Sequence, residues 1–242
     1  MKIDKKELIK MSTYAVSDLH GSYEIWLKIH NTFLKENDKL FILGDCIDRG
    51  DGGLAILTEA LNDPRCVVLC GNHEDLMINA LEEEIQYGYS DYWIYKWFQN
   101  GGRITYDEWQ EKGRDFSWIG RLKALPLWAE YTNKDGDKIL MSHSGAVPKR
   151  NWGMDSLGRN SLLWNRDHLT DISWHRNDNE FSLHGHTPIP IMPFYKGKDV
   201  EIEPGALYYC DGHKINIDNG TVWTKQSCVL DLDTFDEHIF EV

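Results

Sequence analysis

Five clusters of carboxylates, imidazoles and glycines carry the chemistry that can be read from this 242-residue chain. In chain order they are Asp18-Leu19-His20-Gly21, Gly44-Asp45-Cys46-Ile47-Asp48-Arg49-Gly50, Gly71-Asn72-His73-Glu74, Ser142-His143-Ser144-Gly145 and His184-Gly185-His186-Thr187-Pro188. Taken singly, each is most often a turn, a capped histidine or a surface ion pair. Together, such carboxylate, imidazole and amide groups can hold two divalent cations if one carboxylate is shared.

Short apolar segments precede the first three clusters, and they have the character of buried strands. The strand candidates are Thr13–Ser17, Leu40–Leu43 and Cys66–Cys70, and helical spacing follows at Ser22–Leu34, at Leu54–Leu61 and from Glu74 on. Asp18 and Asp45 are 27 residues apart, as are Asp45 and Asn72, so one strand–helix unit separates each pair. Units of this kind form parallel strands, and the three clusters should therefore meet at the carboxyl edge of one sheet.

The rest of the chain divides into a helical part and a β-rich part. We predict a helical insertion at about 76–125, with a break at Asn100-Gly101-Gly102. Asn133-Lys134-Asp135-Gly136 predicts a hairpin between strands Trp128–Thr132 and Lys138–Ser142. A short helix at Asp155–Trp164 precedes six strand candidates, which read FSLHG, DVEIEP, ALYYC, HKINID, CVLDLD and EHIFEV. Because no linker divides the chain, we expect one α/β domain, residues 1–242, with two sheets.

Composition excludes several classes of protein. The net charge of −13 disfavours binding to nucleic-acid backbones. No apolar run reaches the roughly 20 residues that span a bilayer, so no membrane association is expected. The N-terminus has no apolar core of a signal peptide. The five cysteines are odd in number and form no CxxC pair, which argues against disulfides and favours a reducing cytoplasmic location.

The five clusters, in this order, resemble the motif set of the calcineurin-like metallophosphoesterases. Within that superfamily the chain looks like the PPP serine/threonine protein phosphatases, especially the small bacterial and phage-type members. The resemblance spans residues 18 to about 188, and Ile215-Asn216-Ile217-Asp218 resembles a late family strand. It implies a four-layer α/β/β/α sandwich, in which two mixed β-sheets face each other with helices outside.

The resemblance also implies six metal-binding positions. The first divalent cation would take Asp18, His20 and Asp45, and the second would take Asp45, Asn72, His143 and His186, with Asp45 bridging. Manganese is the expected ion, and iron or zinc are the alternatives that family members use. Of the two histidines in the His-Gly-His stretch, His186 is the expected ligand and His184 the expected neighbour.

The expected reaction is direct phosphoryl transfer from a phosphate ester to water, by attack of a hydroxide that bridges the metals. Arg49 and Arg166 would bind phosphate oxygens together with Asn72, since planar guanidinium groups match phosphate geometry. His73, oriented by Asp48, would protonate the leaving oxygen.

Two positions leave alternatives open. Arg166 is assigned because Leu163-Trp164-Asn165-Arg166 resembles a family segment, and the alternative is a surface charge at a helix end. Many relatives have proline after Asp-Arg-Gly, whereas Gly50 is followed here by Asp51-Gly52-Gly53. That loop lies beside the substrate in the family, so this difference in sequence bears on which substrate the protein accepts.

Three functions are compatible with these motifs. The first is hydrolysis of phosphoserine or phosphothreonine in proteins, or of a small phosphoester. The second is hydrolysis of dinucleoside polyphosphates such as diadenosine tetraphosphate, but those hydrolases commonly lack the residue equivalent to Asp48 and have aspartate at Glu74. The third is a non-catalytic scaffold, which broken ligand motifs would indicate, and none of the six is broken. The sequence does not fix the oligomeric state.

The four tryptophans of the predicted insertion also have two interpretations. Trp93, Trp97, Trp109 and Trp118 lie among charged residues. Large aromatics most often pack a core, and we expect that role for these residues. We also expect part of the segment to border the substrate groove.

Overall fold

The computed structural model describes residues 11–89, 91–145, 156–166, 169, 179–192 and 202–242, except for the side chains of residues 156 and 157. Ten strands lie within these ranges: β1 (Thr13–Val16), β2 (Lys39–Ile42), β3 (Cys66–Val68), β4 (Trp128–Thr132), β5 (Lys138–Ser142), β6 (Glu180–His184), β7 (Leu207–Tyr209), β8 (Lys214–Asn216), β9 (Gln226–Asp231) and β10 (Glu237–Glu241). The same ranges hold eight α-helices: α1 (Tyr23–Leu27), α2 (Gly53–Asn62), α3 (Asn72–Tyr87), α4 (Tyr92–Gln99), α5 (Arg103–Glu111), α6 (Ser117–Lys123), α7 (Ser156–Trp164) and α8 (Thr221–Thr224).

The strands form two mixed sheets of five strands each. The first has the order β10-β9-β1-β2-β3, in which β1, β2 and β3 are parallel and β9 and β10 are antiparallel additions. The second has the order β4-β5-β6-β8-β7, with β5, β6 and β8 parallel and an antiparallel strand at each edge. The carboxyl ends of β1, β2 and β3 therefore lie at one edge of the first sheet, and those of β5 and β6 lie at one edge of the second.

The alternation of side chains along the strands explains how the two sheets pack. In β1, Ala15 joins a buried cluster with Ile139, Leu183 and Ile215 of the second sheet, while its neighbour Val16 joins the other core. Successive strand residues point to opposite faces, so one face of β1 meets the second sheet and the other meets the helices. This confirms the predicted sandwich of two facing mixed sheets with helices outside.

Helices α3 to α6 fill the segment for which the sequence predicts helices and no strand. Trp97, Trp109 and Trp118 are buried here and join the core on the helical face of the first sheet. Their role as core residues is therefore confirmed. The division of the chain into one domain with an insertion at about 76–125 stays a prediction.

Several boundaries differ from the sequence-based expectations. The helix expected over Ser22–Leu34 is α-helical only over Tyr23–Leu27 and continues as a π-helical stretch, Lys28–Phe33. The helix expected from Glu74 begins at Asn72, since Gly71 provides the extended residue before it. The strand expected at 199–204 is wrong for 202–204, which precede Gly205 without strand pairing, and 199–201 lie outside the described residues. In the described part of the chain, every helix is too short or too polar to cross a bilayer.

Candidate active site

Loops at the carboxyl ends of β1, β2 and β3 are bonded to one another and form one side of the site. The amide of His20 donates to the carbonyl of Asp45 (2.9 Å), and the amide of Gly21 donates to that of Cys46 (2.8 Å). Six candidate residues have left-handed backbone conformations: Asp18, His20, Asp45, Asp48, Arg49 and His186, with φ between 42° and 73°. Non-glycine residues rarely adopt this conformation, and it concentrates at functional sites.

Two glycines allow the loops to approach closely. A Cβ atom on Gly71 would lie 2.1 Å from Asp45 Oδ1, and one on Gly185 would lie 2.0 Å from Asp18 Oδ2. Side chains at these positions would therefore displace the carboxylates. The glycines of the Gly-Asn-His and His-Gly-His motifs are explained by this close packing.

Asp45 lies at the centre of the site. Its Oδ2 atom is 3.6 Å from His20 Nε2, 3.7 Å from His73 Nε2 and 3.3 Å from His143 Nε2. These imidazoles belong to two groups of potential ligands, His20–Asp45–His73 and Asp45–His143–His186, and within each group the ligand atoms lie within 4.8 Å of one another. Asp45 is shared by both groups, as a bridging carboxylate must be.

Asn72 joins the second group through its side-chain oxygen. Asn72 Oδ1 lies 2.8 Å from His143 Nε2 and 2.8 Å from His186 Nδ1, and the two imidazole nitrogens are 3.1 Å apart. Three potential donor atoms thus converge on one point. Asp18 lies on the other side of this group, where its Oδ2 accepts from the amide of His186 (2.9 Å) and from the hydroxyl of Ser17. The other oxygen of Asp18 is 3.8 Å from His20 Nε2.

The orientation of the imidazoles suits metal binding. His20 Nδ1 lies 2.9 Å from the carbonyl of Ile47, and His143 Nδ1 lies 2.8 Å from that of Leu43. Because a carbonyl only accepts, each Nδ1 carries a proton, and Nε2 is the atom that could bind a metal ion. Metal-binding histidines usually donate their other N–H in this way. His186 presents Nδ1 to Asn72 and His143. Its other nitrogen, Nε2, is buried and has no hydrogen-bond partner among the described residues, so a water molecule or a ligand is needed to satisfy it.

Protonation also indicates a site built for cations. Burial by itself lowers the pKa of His143, but Asp45 and Asp18 raise it to about 10. Burial would raise the pKa of Asp45, yet His143 and His73 hold it well below its usual value. Without a cation, a proton on His143 thus balances the buried carboxylates. The residues present therefore fit two divalent ions, each bound by oxygen and imidazole nitrogen.

His73 belongs to the first group of potential ligands, and Arg49 lies beside that group. His73 Nδ1 is 2.6 Å from Asp48 Oδ2, which leaves Nε2 facing Asp45 and Arg49. Burial lowers the pKa of His73, but Asp45 and Asp48 more than compensate and raise it above its usual value. The Arg49 guanidinium lies 2.7 Å from His20 Nε2 and 3.1 Å from His73 Nε2. A metal ion held by the first group and the imidazole of His73 would thus both lie next to the exposed Arg49.

Arg166 and His184 differ from the other candidates. Much of the Arg166 side chain is exposed, but part of it is shielded from water, and this shielding lowers its pKa. The negative charge of Asp18 acts in the opposite direction. His184 is buried and turned away, with Nε2 2.7 Å from the Tyr209 hydroxyl and Nδ1 2.9 Å from the carbonyl of Gly185. It belongs to neither group of potential ligands, in agreement with the preference for His186.

Four supporting residues were not identified as part of the site from the sequence. Glu74 accepts from the amides of Asp45 (2.8 Å), Cys46 (2.9 Å) and Gly71 (2.9 Å), and so binds two loops together. The Trp97 indole donates to Asp48 Oδ2 (2.7 Å). The other two are Thr105, whose hydroxyl accepts from the amide of Asp48, and Ser17. Of these, only Glu74 had a sequence signal, its place in the Gly-Asn-His-Glu motif.

A cavity of about 690 Å³ opens beside the site, between α3, α4 and α7. Its lining combines three aromatic residues and one leucine with three carboxamides and two charged residues: Trp93, Tyr95, Trp164, Leu76, Gln99, Asn100, Asn160, Lys96 and Asp75. One of the lining residues, Trp164, has its ring centre 6.1 Å from that of His186.

Comparisons with known proteins agree with this geometry. The chain matches the model of the calcineurin-like phosphoesterase family over residues 11–217. It is 30% identical over 160 residues to serine/threonine-protein phosphatase 2 of Salmonella typhimurium (strain LT2), an alignment covering 64% of this chain and 68% of that protein. It is 27% identical over 155 residues to a symmetrical bis(5'-nucleosyl)-tetraphosphatase of Buchnera aphidicola subsp. Schizaphis graminum, covering 63% of this chain and 50% of that protein.

The fold also has a counterpart among solved structures. A protein described as a candidate diadenosine tetraphosphatase aligns over 97% of this chain and 95% of its own, with a TM-score of 0.60 and 12% identity. At that identity the similarity concerns the fold alone. The two facing sheets described above are therefore a known architecture.

Proposed function

This chain belongs to the calcineurin-like phosphoesterase family, and we propose that it is a phosphomonoesterase that acts with two divalent cations. Manganese is the ion that we expect. The substrate we favour is phosphoserine or phosphothreonine in a protein. The observation that carries the proposal is the position of Asp45 Oδ2, within 3.7 Å of imidazoles from two ligand groups and beside an arginine. A shared carboxylate can bridge two metal ions, and a nearby guanidinium can bind the oxygens of the phosphoryl group.

The proposed ligand sets are those that the family resemblance implies; the contacts support them, although the first group of potential ligands contains His73 in the place of Asp18. Asp18, His20 and Asp45 would hold one cation, and Asp45, Asn72, His143 and His186 would hold the other. When bound, such ions lower the pKa of a water molecule and withdraw charge from the phosphoryl group. The protein's contribution is to keep the donor atoms in place, which Glu74 does for the Asp45 loop and the carbonyls of Ile47 and Leu43 do for the imidazoles.

Arg49 would bind the phosphate. Its backbone amide donates to the carbonyl of Gly101 (3.1 Å), which fixes the residue to the helical segment, and its side chain is exposed at the mouth of the site. A planar guanidinium can donate two parallel hydrogen bonds to phosphate oxygens. Asn72, through its amide, and Arg166 would assist.

His73 would donate a proton to the leaving oxygen. Asp45 and Asp48 raise its pKa above the usual value, which favours the protonated form, and Asp48 holds Nδ1 so that Nε2 faces the site. An alkoxide leaves poorly, so a positioned acid accelerates the loss of a serine or threonine side chain. Asn72 adjoins His73 at the start of α3, so the acid and the proposed metal ligand share one rigid support.

A covalent cysteine mechanism is not needed. Cys46 and Cys70 adjoin the site in sequence, but both are buried, and burial raises the pKa of each thiol well above its usual value. A thiol that stays protonated is a weak nucleophile. Water is therefore the proposed acceptor of the phosphoryl group.

The test is hydrolysis of para-nitrophenyl phosphate with manganese, with and without a chelator. We expect turnover that chelation abolishes and added manganese restores. Activity that chelation leaves unchanged would contradict the two-metal proposal. A phosphothreonine peptide would then be measured under the same conditions.

Hydrolysis of dinucleoside polyphosphates is the second candidate, and the cavity beside the site favours it. Aromatic faces such as Trp93 and Trp164 can stack on a base, and carboxamides such as Gln99 and Asn160 can hydrogen-bond to its edge. The curated relatives include proteins of both names. Turnover of a phosphothreonine peptide compared with diadenosine tetraphosphate separates the two, and we expect the peptide to be preferred because Asp48 and His73 form a complete acid pair.

A further inference from the structure

An exposed tryptophan outside every sequence motif lies next to Arg49. Trp223 is on α8, after the late strand β8, and 60% of its surface is exposed. The Arg49 guanidinium carbon lies 5.8 Å from the centre of its indole ring, within the range of a cation–π interaction. Tryptophan is enriched at interfaces because its ring offers an apolar face together with a polar N–H group.

The backbone that presents Trp223 is firmly held. Asp218 Oδ1 accepts from the amide of Gly220 (2.9 Å), and the side chain of Asn219 bonds to both the amide and the carbonyl of Gly205 (2.8 Å each). Thr221 is buried, and the amide of Trp223 donates to the carbonyl of Gly220 (2.8 Å). The indole is therefore exposed on a turn that is itself anchored, which limits the entropy lost when a ligand contacts it.

The terminal nitrogens of Arg49 face the site, 2.7 Å from His20 Nε2 and 3.1 Å from His73 Nε2, which is where a phosphate would meet them. Guanidinium N–H groups point outward in the plane of the group, whereas a ring at 5.8 Å from its carbon covers a face or flank. A phosphate held by those N–H groups would carry its ester substituent past the indole. The substituent that gains most from such a neighbour is planar and aromatic.

We propose that Trp223 is a specificity-determining residue that contacts the leaving group of the substrate and raises the kcat/KM of phosphate esters of aromatic alcohols relative to that of alkyl esters. The inference rests on the phosphomonoesterase function proposed above. It adds aryl phosphates, including phosphotyrosine, to the substrate class of the same site. The Arg49–Trp223 pair divides the task, since Arg49 binds the phosphoryl group and Trp223 binds the group that departs.

The experiment compares wild type, Trp223→Ala and Trp223→Phe on two peptides of one sequence, one with phosphotyrosine and one with phosphothreonine, with manganese present. We expect Trp223→Ala to lower the kcat/KM ratio of phosphotyrosine to phosphothreonine about tenfold, and Trp223→Phe to retain most of it. Comparing this kcat/KM ratio between a variant and wild type removes the effect of the different chemical reactivity of the two leaving groups. The inhibition constant of inorganic phosphate should stay within about twofold, because phosphate has no leaving group.

Tyr87→Ala is the matched control. Tyr87 is 59% exposed and ends α3, about 22 Å along that helix from Asn72. It should leave the ratio unchanged. An unchanged ratio in Trp223→Ala, or a parallel loss of phosphate affinity, would overturn the role in leaving-group recognition while leaving the hydrolase function intact. Absence of turnover by wild type on both peptides and on para-nitrophenyl phosphate would instead overturn the hydrolase function and the inference with it.

Discussion

The indole N–H of Trp97 donates a 2.7 Å hydrogen bond to Asp48 Oδ2, the same oxygen that lies 2.6 Å from His73 Nδ1. Trp97 is fully buried in α4, and its neighbouring helix α5 supplies Thr105, whose hydroxyl accepts from the amide of Asp48 (2.9 Å). The helical segment therefore does more than cover the sheet. It fixes the carboxylate that orients the proposed acid.

Replacing Trp97 with phenylalanine tests this relationship. Trp97→Phe keeps an aromatic ring but removes the N–H, and hydrogen bonds to charged groups contribute about 1.5–3 kcal/mol. We expect kcat on a phosphothreonine peptide to fall about tenfold, with metal content unchanged, because His73 loses its fixed orientation. Trp109→Phe is the control, since Trp109 is equally buried but donates to the carbonyl of Asp115 (3.0 Å). Equal kcat in both variants and wild type would contradict the positioning role.

Local sequence was sufficient to place the polar clusters at the ends of strands, because each cluster is flanked by or contains glycine; their role as metal ligands stays a prediction. The regular spacing of Asp18, Asp45 and Asn72 also placed them at one edge of a parallel sheet, as the structure has them. The approach of His143 and His186 from the second sheet was not deducible from spacing and came from the family resemblance. The way in which the two sheets face each other is set by tertiary packing, and the residues next to one another in the sequence do not determine it.

The supporting contacts lay beyond sequence reasoning for the same reason. Trp97 and Asp48 are 49 residues apart, and no periodic pattern links them. Trp223 comes close to Arg49 only because the chain after β8 folds back to the site, where α8 carries the tryptophan. The π-helical stretch after α1 also had no signal, since its apolar spacing resembles that of an ordinary helix.

Binding of manganese should release protons at neutral pH. Because Asp45 and Asp18 outweigh the effect of burial and raise the pKa of His143 to about 10, this imidazole is protonated in the metal-free protein at pH 7. A metal binds only the neutral ring, so affinity should fall as pH falls, by about tenfold per pH unit for each proton released. Calorimetry in buffers of different ionisation enthalpy measures the number released. A value near zero at pH 7 would contradict the proposed role of His143.

His73→Asn should separate the acid from the metal ligands. We expect kcat to fall about 100-fold on a phosphothreonine peptide, and much less on para-nitrophenyl phosphate, whose leaving group needs no proton. Manganese content should match wild type. Because His73 Nε2 lies 3.7 Å from Asp45 Oδ2, loss of metal is the informative alternative, and it would reassign His73 as a ligand.

Away from the site, Asp63 should make stability depend on pH. Hydrogen bonds from Arg65 hold the pKa of Asp63 below its usual value, and His30 Nε2 lies 2.7 Å from its Oδ2. A lowered pKa gives stability that is present above the unfolded-state value and is lost as pH falls through the folded-state value. The difference in unfolding free energy between wild type and Asp63→Asn should therefore shrink by about 1 kcal/mol from pH 6 to pH 3. Urea unfolding at the two pH values measures it, and a constant difference would refute the expectation.

The count of bound metal ions, made by elemental analysis after equilibrium dialysis, tests the shared carboxylate most directly. We expect about two manganese ions per wild-type chain and fewer than about one in Asp45→Asn, because both ligand groups contain this residue. Asp63→Asn is the control and should keep both ions, since the guanidinium of Arg65 already occupies the carboxylate of the His30–Asp63–Cys66 group. One ion or none in wild type, or two ions retained by Asp45→Asn, would contradict a dinuclear centre built on Asp45.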